Sequence, residues 1–228
     1  MGIYLGNTLI NNMYKSYYRI KSAYRGDELV FWLENGVYIQ DTNGLLYTKE
    51  KWSNSGKTAN AIAVITDECR FIISLTYGFS AGNAWSWSPN GAEDLLSGVV
   101  TANSSLTARE DYKGYENTEY ILGYYGDIHG YAARMCNGFT FPNGQKGFSA
   151  SAGEWYIAYS NKSKIDEYLS LVSAEAIITS DKHWTSTQYD SNAGYMYDWK
   201  SGNISAVGKK YGFPTRAFGQ LSDNVTFA

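Results

Sequence analysis

The chain has 228 residues and a formal net charge of −3, with 44% hydrophobic and 18% charged residues. This composition is typical of a globular protein with one large domain, or one domain and a small appendage, and argues against a disordered chain. The absence of a basic cluster excludes the electrostatic pattern of a nucleic-acid-binding protein. No apolar run is long enough to span a membrane, and the first residues lack the basic and apolar segments of a secretory signal.

The first 34 residues predict a small β-rich module. The segments IYLGNTLINNMYKSYYRI and KSAYRGDELVFW each combine apolar stretches with a glycine turn. Such a pattern is typical of short strands joined by turns, and the alternative is two hairpin strands with no module of their own. We therefore predict a module at residues 1–34 and a main domain at residues 35–228.

The main domain begins and ends with strand patterns. GVYIQDTNGLLY predicts two short strands around a turn at residues 41–44, and NAIAVITDECRFIISLTYG predicts a buried hairpin. Helical pieces interrupted by glycine follow in DYKGYENTEYILGYYGDIHGYAARMC, and strand patterns return in HWTSTQY, GYMYDW, GNISAVG and TRAFGQL. Strands, then helices, then strands favour an α+β fold over alternating βαβ units.

The strongest helix pattern lies in SAGEWYIAYSNKSKIDEYLSLV. Ser151 and Glu154 have the spacing of a capping box, in which each side chain bonds the backbone N–H of the other residue. Ser163 with Asp166 predicts a second helix start. The apolar residues that follow recur at helical spacing and predict one buried face: Ile165, Tyr168, Leu169 and Val172.

No local pattern predicts catalysis. Cys69 and Cys136 lie beside apolar or helical sequence and are expected to be reduced, buried thiols, with a single disulfide as the alternative. Neither His129 nor His183 belongs to a motif, and no Walker, EF-hand or zinc-protease pattern occurs. We therefore expect no enzyme, no metal and no cofactor.

The C-terminal part has a biased composition. Between residues 189 and 203, twelve of fifteen residues are Tyr, Asp, Ser, Asn, Gly or Ala, and the others are Met196, Trp199 and Lys200. Tyr supplies a large contact area at low entropy cost, while Ser, Asn and Gly adapt their hydrogen bonds, as in antibody paratopes. The stretch predicts a binding surface, with an ordinary solvent-facing hairpin rich in Tyr as the alternative.

Five motifs, in order, carry a family resemblance: DYKGYENT, AARMC, FTFPNGQKGFSASAGEWYIAY, WTSTQY and TRAF. The series resembles the C-type lectin fold, and more closely the variable proteins of diversity-generating retroelements in gut bacteria and their phages. The resemblance implies a C-type lectin fold for the main domain, while the N-terminal segment is similar to modules of phage tail proteins. It also implies that a reverse transcriptase diversifies a variable region, about residues 184–218, by mutating template adenines.

The genetic code restricts what such diversification can produce. An AAC or AAT codon with randomised adenines can yield Tyr, Asp, Ser, Asn, Gly, Ala, Ile, Val, Phe or Pro, but never Trp, Met, Lys, Gln or Glu. We call the first set permitted residues. Met196, Trp199 and Lys200 are not permitted and are expected to be scaffold, as are Lys209 and Lys210.

Residues at both ends of the variable region resemble fixed parts of the family. Trp184, Ser186 and Gln188 resemble the fixed segment before it, and Trp184 is expected in the core. Arg216 resembles part of the fixed closing strand, where we expect it to pair with a carboxylate rather than contact a ligand.

The strand register decides which tyrosines face a ligand. Because strand side chains alternate, Tyr195 and Tyr197 point outward if Met196 points into the core, and they share a face with Trp199 if Trp199 does. A one-residue bulge would let Met196 and Trp199 both point inward. We predict Met196 inward and both tyrosines outward. The predicted ligand contacts are twelve residues: Tyr189, Asp190, Ser191, Asn192, Tyr195, Tyr197, Asp198, Ser201, Asn203, Ser205, Tyr211 and Phe213.

The resemblance implies a non-catalytic protein that binds a protein or glycan receptor on a bacterial surface. It would be part of a phage tail or of a bacterial cell surface, attached through the N-terminal module and displayed as a homotrimer. The alternative is a carbohydrate-binding adhesin of the same fold with fixed specificity. A degenerate formylglycine-type enzyme would instead bring Cys69 and Cys136 together in a cleft.

Overall fold

A computed structural model describes residues 35–78, 83–221 and 225–228, together with the backbone of six strands within residues 1–34. These six strands pair consecutively into three antiparallel hairpins: β1 Ile3–Leu5, β2 Thr8–Ile10, β3 Met13–Lys15, β4 Tyr18–Ile20, β5 Ser22–Arg25 and β6 Glu28–Trp32. The register repeats every ten residues, since Tyr4, Tyr14 and Tyr24 each pair with the residue five positions later. The segment is therefore a threefold hairpin repeat rather than two loosely similar pieces.

Ten further strands form two sheets: β7 Gly36–Asp41, β8 Leu45–Tyr47, β9 Ala59–Ile65, β10 Arg70–Ser74, β11 Phe148–Ser149, β12 Lys182–Gln188, β13 Ala193–Asp198, β14 Ile204–Gly208, β15 Ala217–Gln220 and β16 Thr226–Phe227. The large sheet has the order β11-β15-β10-β9-β7-β8-β16, antiparallel except where β16 joins β8. The small sheet has the order β12-β13-β14 and is antiparallel. The hairpins predicted at β7–β8 and β9–β10 are confirmed.

Six α-helices lie between the strands: α1 Lys49–Trp52, α2 Ser105–Ala108, α3 Gly114–Tyr125, α4 Ala132–Gly138, α5 Ala152–Ser160 and α6 Lys162–Leu171. A short 3₁₀ turn spans Pro89–Gly91. Most helical residues fall between the first strands of the large sheet and the strands of the small sheet. The protein is therefore α+β, as the order of sequence patterns predicts.

The capping box at α5 is confirmed, because the side chains of Ser151 and Glu154 each accept from the other residue's backbone N–H. The second start signal is wrong. Helix α6 begins at Lys162, and Asn161 alone separates it from α5, so Ser163 lies inside the helix. The Asp166 carboxylate pairs with the Lys162 ammonium one turn earlier instead of capping the helix. The buried face of α6 is confirmed by Ile165, Tyr168 and Leu169, while Val172 packs against it partly buried.

The large sheet carries apolar side chains on both faces. On one face, Ile62 and its neighbours pack with Trp155 of α5 and with residues of the small sheet. On the opposite face, Ile72 packs with Phe141 from the segment between α4 and β11. The small sheet and the 139–147 segment therefore lie on opposite sides of the large sheet.

A buried carboxylate links three of the elements that position the small sheet. Asp111, just before α3, is 4% exposed. Its Oδ2 accepts hydrogen bonds from Thr187 Oγ1 of β12 at 2.6 Å and from Asn117 Nδ2 of α3 at 2.9 Å. Its backbone oxygen accepts from Ser151 Oγ at 2.5 Å and from the backbone N–H of Gly153, at the start of α5. Asp111 therefore ties α3 and α5 to β12.

Two glycines allow this close packing. A Cβ on Gly153 would collide with the backbone oxygen of Asp111, and a Cβ on Gly114 would collide with the Glu154 carboxylate. Backbone atoms cannot move aside as a flexible side chain can, so any side chain at Gly153 would separate α5 from Asp111. Both glycines belong to motifs of the family resemblance.

Burial of Glu154 makes stability depend on pH. Desolvation raises the pKa of Glu154 to about 8, opposed by hydrogen bonds from Ser151 and reinforced by the nearby Asp111. The folded state therefore binds this proton more tightly than the unfolded state. The stability it contributes is present at low pH and is lost as the pH rises from the ordinary carboxyl pKa towards 8.

We expect the free energy of unfolding to fall between pH 5 and pH 8, and Glu154→Gln to flatten this fall. Gln retains the capping-box hydrogen bond without a titrating group. Denaturant unfolding at several pH values measures the slope, and an unchanged slope in the Gln variant would contradict the assignment.

Candidate functional site

The small sheet and the turns at its ends hold most of the predicted contact residues, and both faces of the sheet are covered. One face carries Tyr195 and Tyr197, which pack into the main core. The other face carries Trp184 and Met196, which pack with Trp87 in a separate cluster. The strands therefore contribute buried side chains on both sides, and exposure is confined to turns, to Lys182 at the start of β12 and to the edge strand β14.

The outward orientation predicted for Tyr195 and Tyr197 is wrong. Their side chains are 1% and 0% exposed, and the Tyr195 hydroxyl donates to the Ala102 backbone oxygen at 3.1 Å. The ring of Tyr197 lies nearly parallel to Trp155, with centroids 6.1 Å apart. The prediction failed because it assumed one solvated face. Met196 is buried as predicted, but the tyrosines on the opposite face are buried as well.

Trp199 is also fully buried, and no bulge is needed to place it there. Strands β13 and β14 pair in continuous register from Ala193 to Tyr197. Trp199 follows the strand and packs edge-on against Trp155, 5.8 Å between centroids. Because each face has its own core, Met196 and Trp199 are both buried, and the register shift of this sheet lies in β12, between Trp184 and Gln188.

One group of exposed candidates lies where β12 turns into β13. Tyr189 is 39% exposed and Asn192 is exposed, while Asp190 and Ser191 are half-buried. Asp190 Oδ1 accepts from the backbone N–H groups of Asn192 and Ala193 and so shapes this turn. The chain returns beside it after β14, where Lys209 N donates to Asn192 O.

Tyr211 belongs to the same end of the sheet and is 54% exposed. Its ring would contact a Cβ at Gly208, which itself lies near Asn192 O. We call the surface formed by Tyr189, Asp190, Ser191, Asn192 and Tyr211 the tyrosine end.

The second group lies at the opposite end of the sheet. Asp198 closes the turn between β13 and β14, accepting from the backbone N–H groups of Lys200 and Ser201 and from Ser201 Oγ. Ser201 and Asn203 are exposed there. The six residues of β13 separate the two groups by roughly 20 Å at about 3.3 Å per residue. The twelve candidates therefore do not form one patch.

The remaining two candidates differ in character. Ser205 is exposed on the edge strand β14, between the two ends. Phe213 is half-buried, with its ring 5.0 Å from the Trp184 ring, so part of its surface serves the core.

The tyrosine end rests on a buried polar support that the sequence did not predict. The Gln188 amide nitrogen donates to the backbone oxygen of Leu96 at 2.6 Å and to Thr101 Oγ1 at 2.9 Å. Its amide oxygen accepts from Leu96 N, and its backbone pairs with Val100 and Ala102. These bonds attach the 96–102 segment to β12 directly before Tyr189.

Lys209 completes this support and is 1% exposed. Its ammonium donates to the Asp94 backbone oxygen at 2.6 Å and lies 4.4 Å from the Trp87 ring centroid. Desolvation lowers the pKa of Lys209 to about 8, opposed by the nearby Asp190 and Asp94. The only sequence signal for this role is that Lys is not a permitted residue.

Arg216 is structural, but its partners differ from the prediction. It is buried and donates to the backbone oxygens of Ser74, Glu175 and Ala176 instead of to a carboxylate. Its guanidinium also lies 4.8 Å from the ring centroid of Tyr77. Carbonyl oxygens at the end of β10 and in the 175–176 segment thus take the place of the expected acid.

Both cysteines are free thiols, as predicted, but only Cys136 has the predicted burial, and neither thiol is activated. Cys136 is buried and Cys69 is half-buried, and burial raises the pKa of each thiol to about 12. Cys136 contacts Thr215 Oγ1, whereas Cys69 lies in the turn between β9 and β10. A thiolate is therefore scarcely populated at neutral pH at Cys69 or at Cys136.

His183 is buried against Tyr77, and desolvation lowers the pKa of the imidazole to about 3.

Comparisons with known proteins bear on the fold only. No known family profile matches the chain, and no curated protein sequence does. One similar solved structure is a fimbrial protein from Bacteroides ovatus, with a TM-score of 0.54 and 16% identity, covering 84% of this chain and 50% of that one. The chain thus spans about half the length of this neighbour. In the described parts of the chain, no helix has the length and apolar character needed to cross a membrane.

The division of tyrosines between core and surface predicts unequal mutational effects. Tyr195→Ala and Tyr197→Ala should each lower the free energy of unfolding by about 3–5 kcal/mol, as for other buried aromatic side chains. Tyr189→Ala and Tyr211→Ala should each cost about 1 kcal/mol or less, because their side chains are already 39% and 54% exposed. Denaturant unfolding tests this, and similar losses for all four variants would contradict the division.

Proposed function

We propose that the chain is a non-catalytic ligand-binding protein of C-type lectin fold, whose exposed C-terminal turns form a binding surface diversified by a retroelement. The observation that carries the proposal is how the permitted residues distribute. Of the five residues that are not permitted, Met196, Trp199 and Lys209 are buried, whereas Lys200 and Lys210 are exposed in turns. Apart from these two lysines, the exposed residues of the turns are permitted residues. A surface can then change while its core stays constant.

The tyrosine end has the chemistry of an adaptable binding surface. Tyr189 and Tyr211 present half-exposed rings beside the side chains of Asp190, Ser191 and Asn192. Rings with few rotatable bonds provide contact area at a low entropy cost, and small polar groups adapt to different partners. The Asp198 turn offers a second, more polar surface.

The support beneath the tyrosine end suits diversification. Gln188 and Lys209 place their hydrogen bonds on backbone oxygens of the 94–102 segment, and those acceptors do not depend on which side chains occupy the turn. A rigid frame under replaceable turns is the common arrangement for binding loops. Substitutions at Tyr189 or Asn192 then alter recognition without loss of fold.

Display on a surface is the context that fits best. The similarity to a fimbrial protein supports a surface role, and the three N-terminal hairpins provide an appendage suited to attachment. We propose that the ligand is a protein or glycan receptor on a bacterial surface, that the N-terminal hairpins join the chain to a phage tail, and that a homotrimer presents the turns. Attachment to a bacterial cell surface is the alternative location.

A carbohydrate-binding adhesin with fixed specificity is the second candidate. The fimbrial neighbour favours it, because that likeness does not require a diversified surface. The two candidates differ at the level of DNA, since only a diversified protein has a template repeat.

Sequencing tests the diversification directly. We expect a reverse-transcriptase gene and a near-copy of codons 184–218 nearby, differing from the gene only at template adenines. Deep sequencing of a growing population should show changes at the codons for Tyr189, Asn192 and Tyr211 and none at those for Met196 and Lys209. Codons 36–70 of the same gene serve as the background control. The absence of a template repeat, or equal rates in both segments, would leave fixed specificity as the better explanation.

Cell binding tests the tyrosine end. The double variant Tyr189→Ala/Tyr211→Ala should bind a panel of gut bacteria at least about tenfold more weakly than the unchanged chain, because aromatic anchors dominate interface energies. Flow cytometry with labelled protein measures this effect.

The control is Tyr120→Ala/Tyr124→Ala on α3, whose side chains are 39% and 56% exposed and so match the first pair. It should bind like the unchanged chain. Equal binding by both double variants would argue against the tyrosine end as the contact surface.

A further inference from the structure

A cavity of about 570 Å³ opens on the side of the large sheet opposite the small sheet. It lies between the β7–β8 turn, the 143–145 segment, and the ends of β15 and β16. Its size falls within the roughly 300–1,000 Å³ of small-molecule sites. The tyrosine end and the Asp198 turn contribute no residue to it.

Carboxamide side chains dominate the polar lining of this cavity. Three of the four glutamines in the chain, Gln40, Gln145 and Gln220, line it together with Asn43 and Asn143. Each carboxamide offers two N–H donors and an acceptor oxygen. Five such groups around one opening can donate to and accept from a ligand at several points.

The inner part of this lining is held in place by its own hydrogen bonds. Gln40 is 6% exposed, and its amide oxygen accepts from Asn60 Nδ2 at 2.7 Å. The Asn60 amide oxygen accepts from the backbone N–H of Asn143 at 3.0 Å. The Gln145 amide nitrogen donates to the backbone oxygen of Gln220 at 2.8 Å, leaving its oxygen as an acceptor. These bonds orient the amides before any ligand binds.

The outer part offers unused hydrogen-bonding groups. Among the described residues, none forms a hydrogen bond with the side-chain amides of Asn43 or Gln220, and both side chains are exposed. Leu45, Leu221 and Val225 add an apolar wall. Free amides and apolar side chains in the same lining suit a ligand that carries both hydroxyl groups and C–H groups.

The described residues of the cavity lining are uncharged. Within the described parts of the chain, its lining contains no Asp, Glu, Lys, Arg or His. None of these lining side chains would form an ion pair with a carboxylate, a phosphate or an ammonium group, and burying an unpaired charge is costly. A neutral ligand is therefore favoured over an anion or a cation.

We propose that this cavity is a second, invariant binding site for a neutral, hydroxyl-rich ligand, namely an uncharged saccharide. Hydroxyl groups both donate and accept, which matches carboxamides better than it matches any charged side chain. The proposal goes beyond the diversified surface. The tyrosine end, on one side of the large sheet, would change its ligand, while the cavity on the opposite side would keep binding the same class of saccharide.

Saturation-transfer NMR with the full chain tests the site. The probes are glucose, galactose, mannose and N-acetylglucosamine, with glucuronic acid as the charged counterpart of glucose and dextran as a polymeric source of glucose units. We expect at least one neutral sugar to bind and glucuronic acid to bind more weakly than glucose. Binding of the free sugar or of the polymer supports the site, and the comparison identifies which source it takes.

The double variant Asn43→Ala/Gln220→Ala should weaken sugar binding by about tenfold through the loss of two hydrogen-bonding groups. Because both side chains are exposed, the variant should fold normally, which circular dichroism checks. The matched control is Asn54→Ala, an exposed asparagine outside the cavity, which should bind like the unchanged chain. No binding of any neutral probe, equal binding of the double variant, or tighter binding of glucuronic acid than of glucose would each overturn the proposal.

Discussion

The buried carboxylate of Asp111 is the constraint on which the main domain depends. A carboxylate removed from water is costly unless its oxygens are satisfied, and here Thr187, Asn117 and the backbone N–H of Lys113 satisfy them. Lys113 and Asn117 are neighbours in sequence, whereas Thr187 comes from a distant strand, and the Asp111 backbone oxygen accepts from Ser151 and Gly153 of the distant α5 start. The carboxylate and the backbone oxygen of Asp111 together hold α3, α5 and β12 in place. Because the tyrosine end begins directly after β12, its position follows from this polar centre.

The same architecture separates the turns of the small sheet, whose side chains can change, from its strands, whose side chains packing holds constant. The small sheet is sealed on both faces by aromatic and aliphatic side chains, so its strands tolerate little variation. Its turns are not under this packing constraint, because hydrogen bonds from or to the side chains of Gln188, Lys209 and Asp198 hold their backbone. The large sheet lies between these turns and the cavity lined by Gln40, Gln145 and Gln220. A protein built this way can combine a changeable contact surface with a constant one.

Local patterns in the sequence predicted local structure well. The capping box at Ser151 and the buried stripe of α6 depend on neighbours within one or two turns, and both are present. The orientation of Tyr195 and Tyr197 depends on what covers each face of a strand, which residues 193–198 do not encode. The partners of Arg216 likewise come from residues 40 to 142 positions away. No spacing within a motif could identify them.

By itself, the sequence determined the α+β order of elements, the two free thiols, and the burial of Trp184, Met196 and Trp199, because apolar periodicity and residue type suffice for these. Only the tertiary structure decided which polar and aromatic candidates reach solvent. It divided the predicted contacts between two ends of one sheet, buried two tyrosines, and assembled three glutamines around one cavity. The physical reason is that exposure is a property of packing between elements distant in sequence, whereas periodicity reports only the face on which a residue lies.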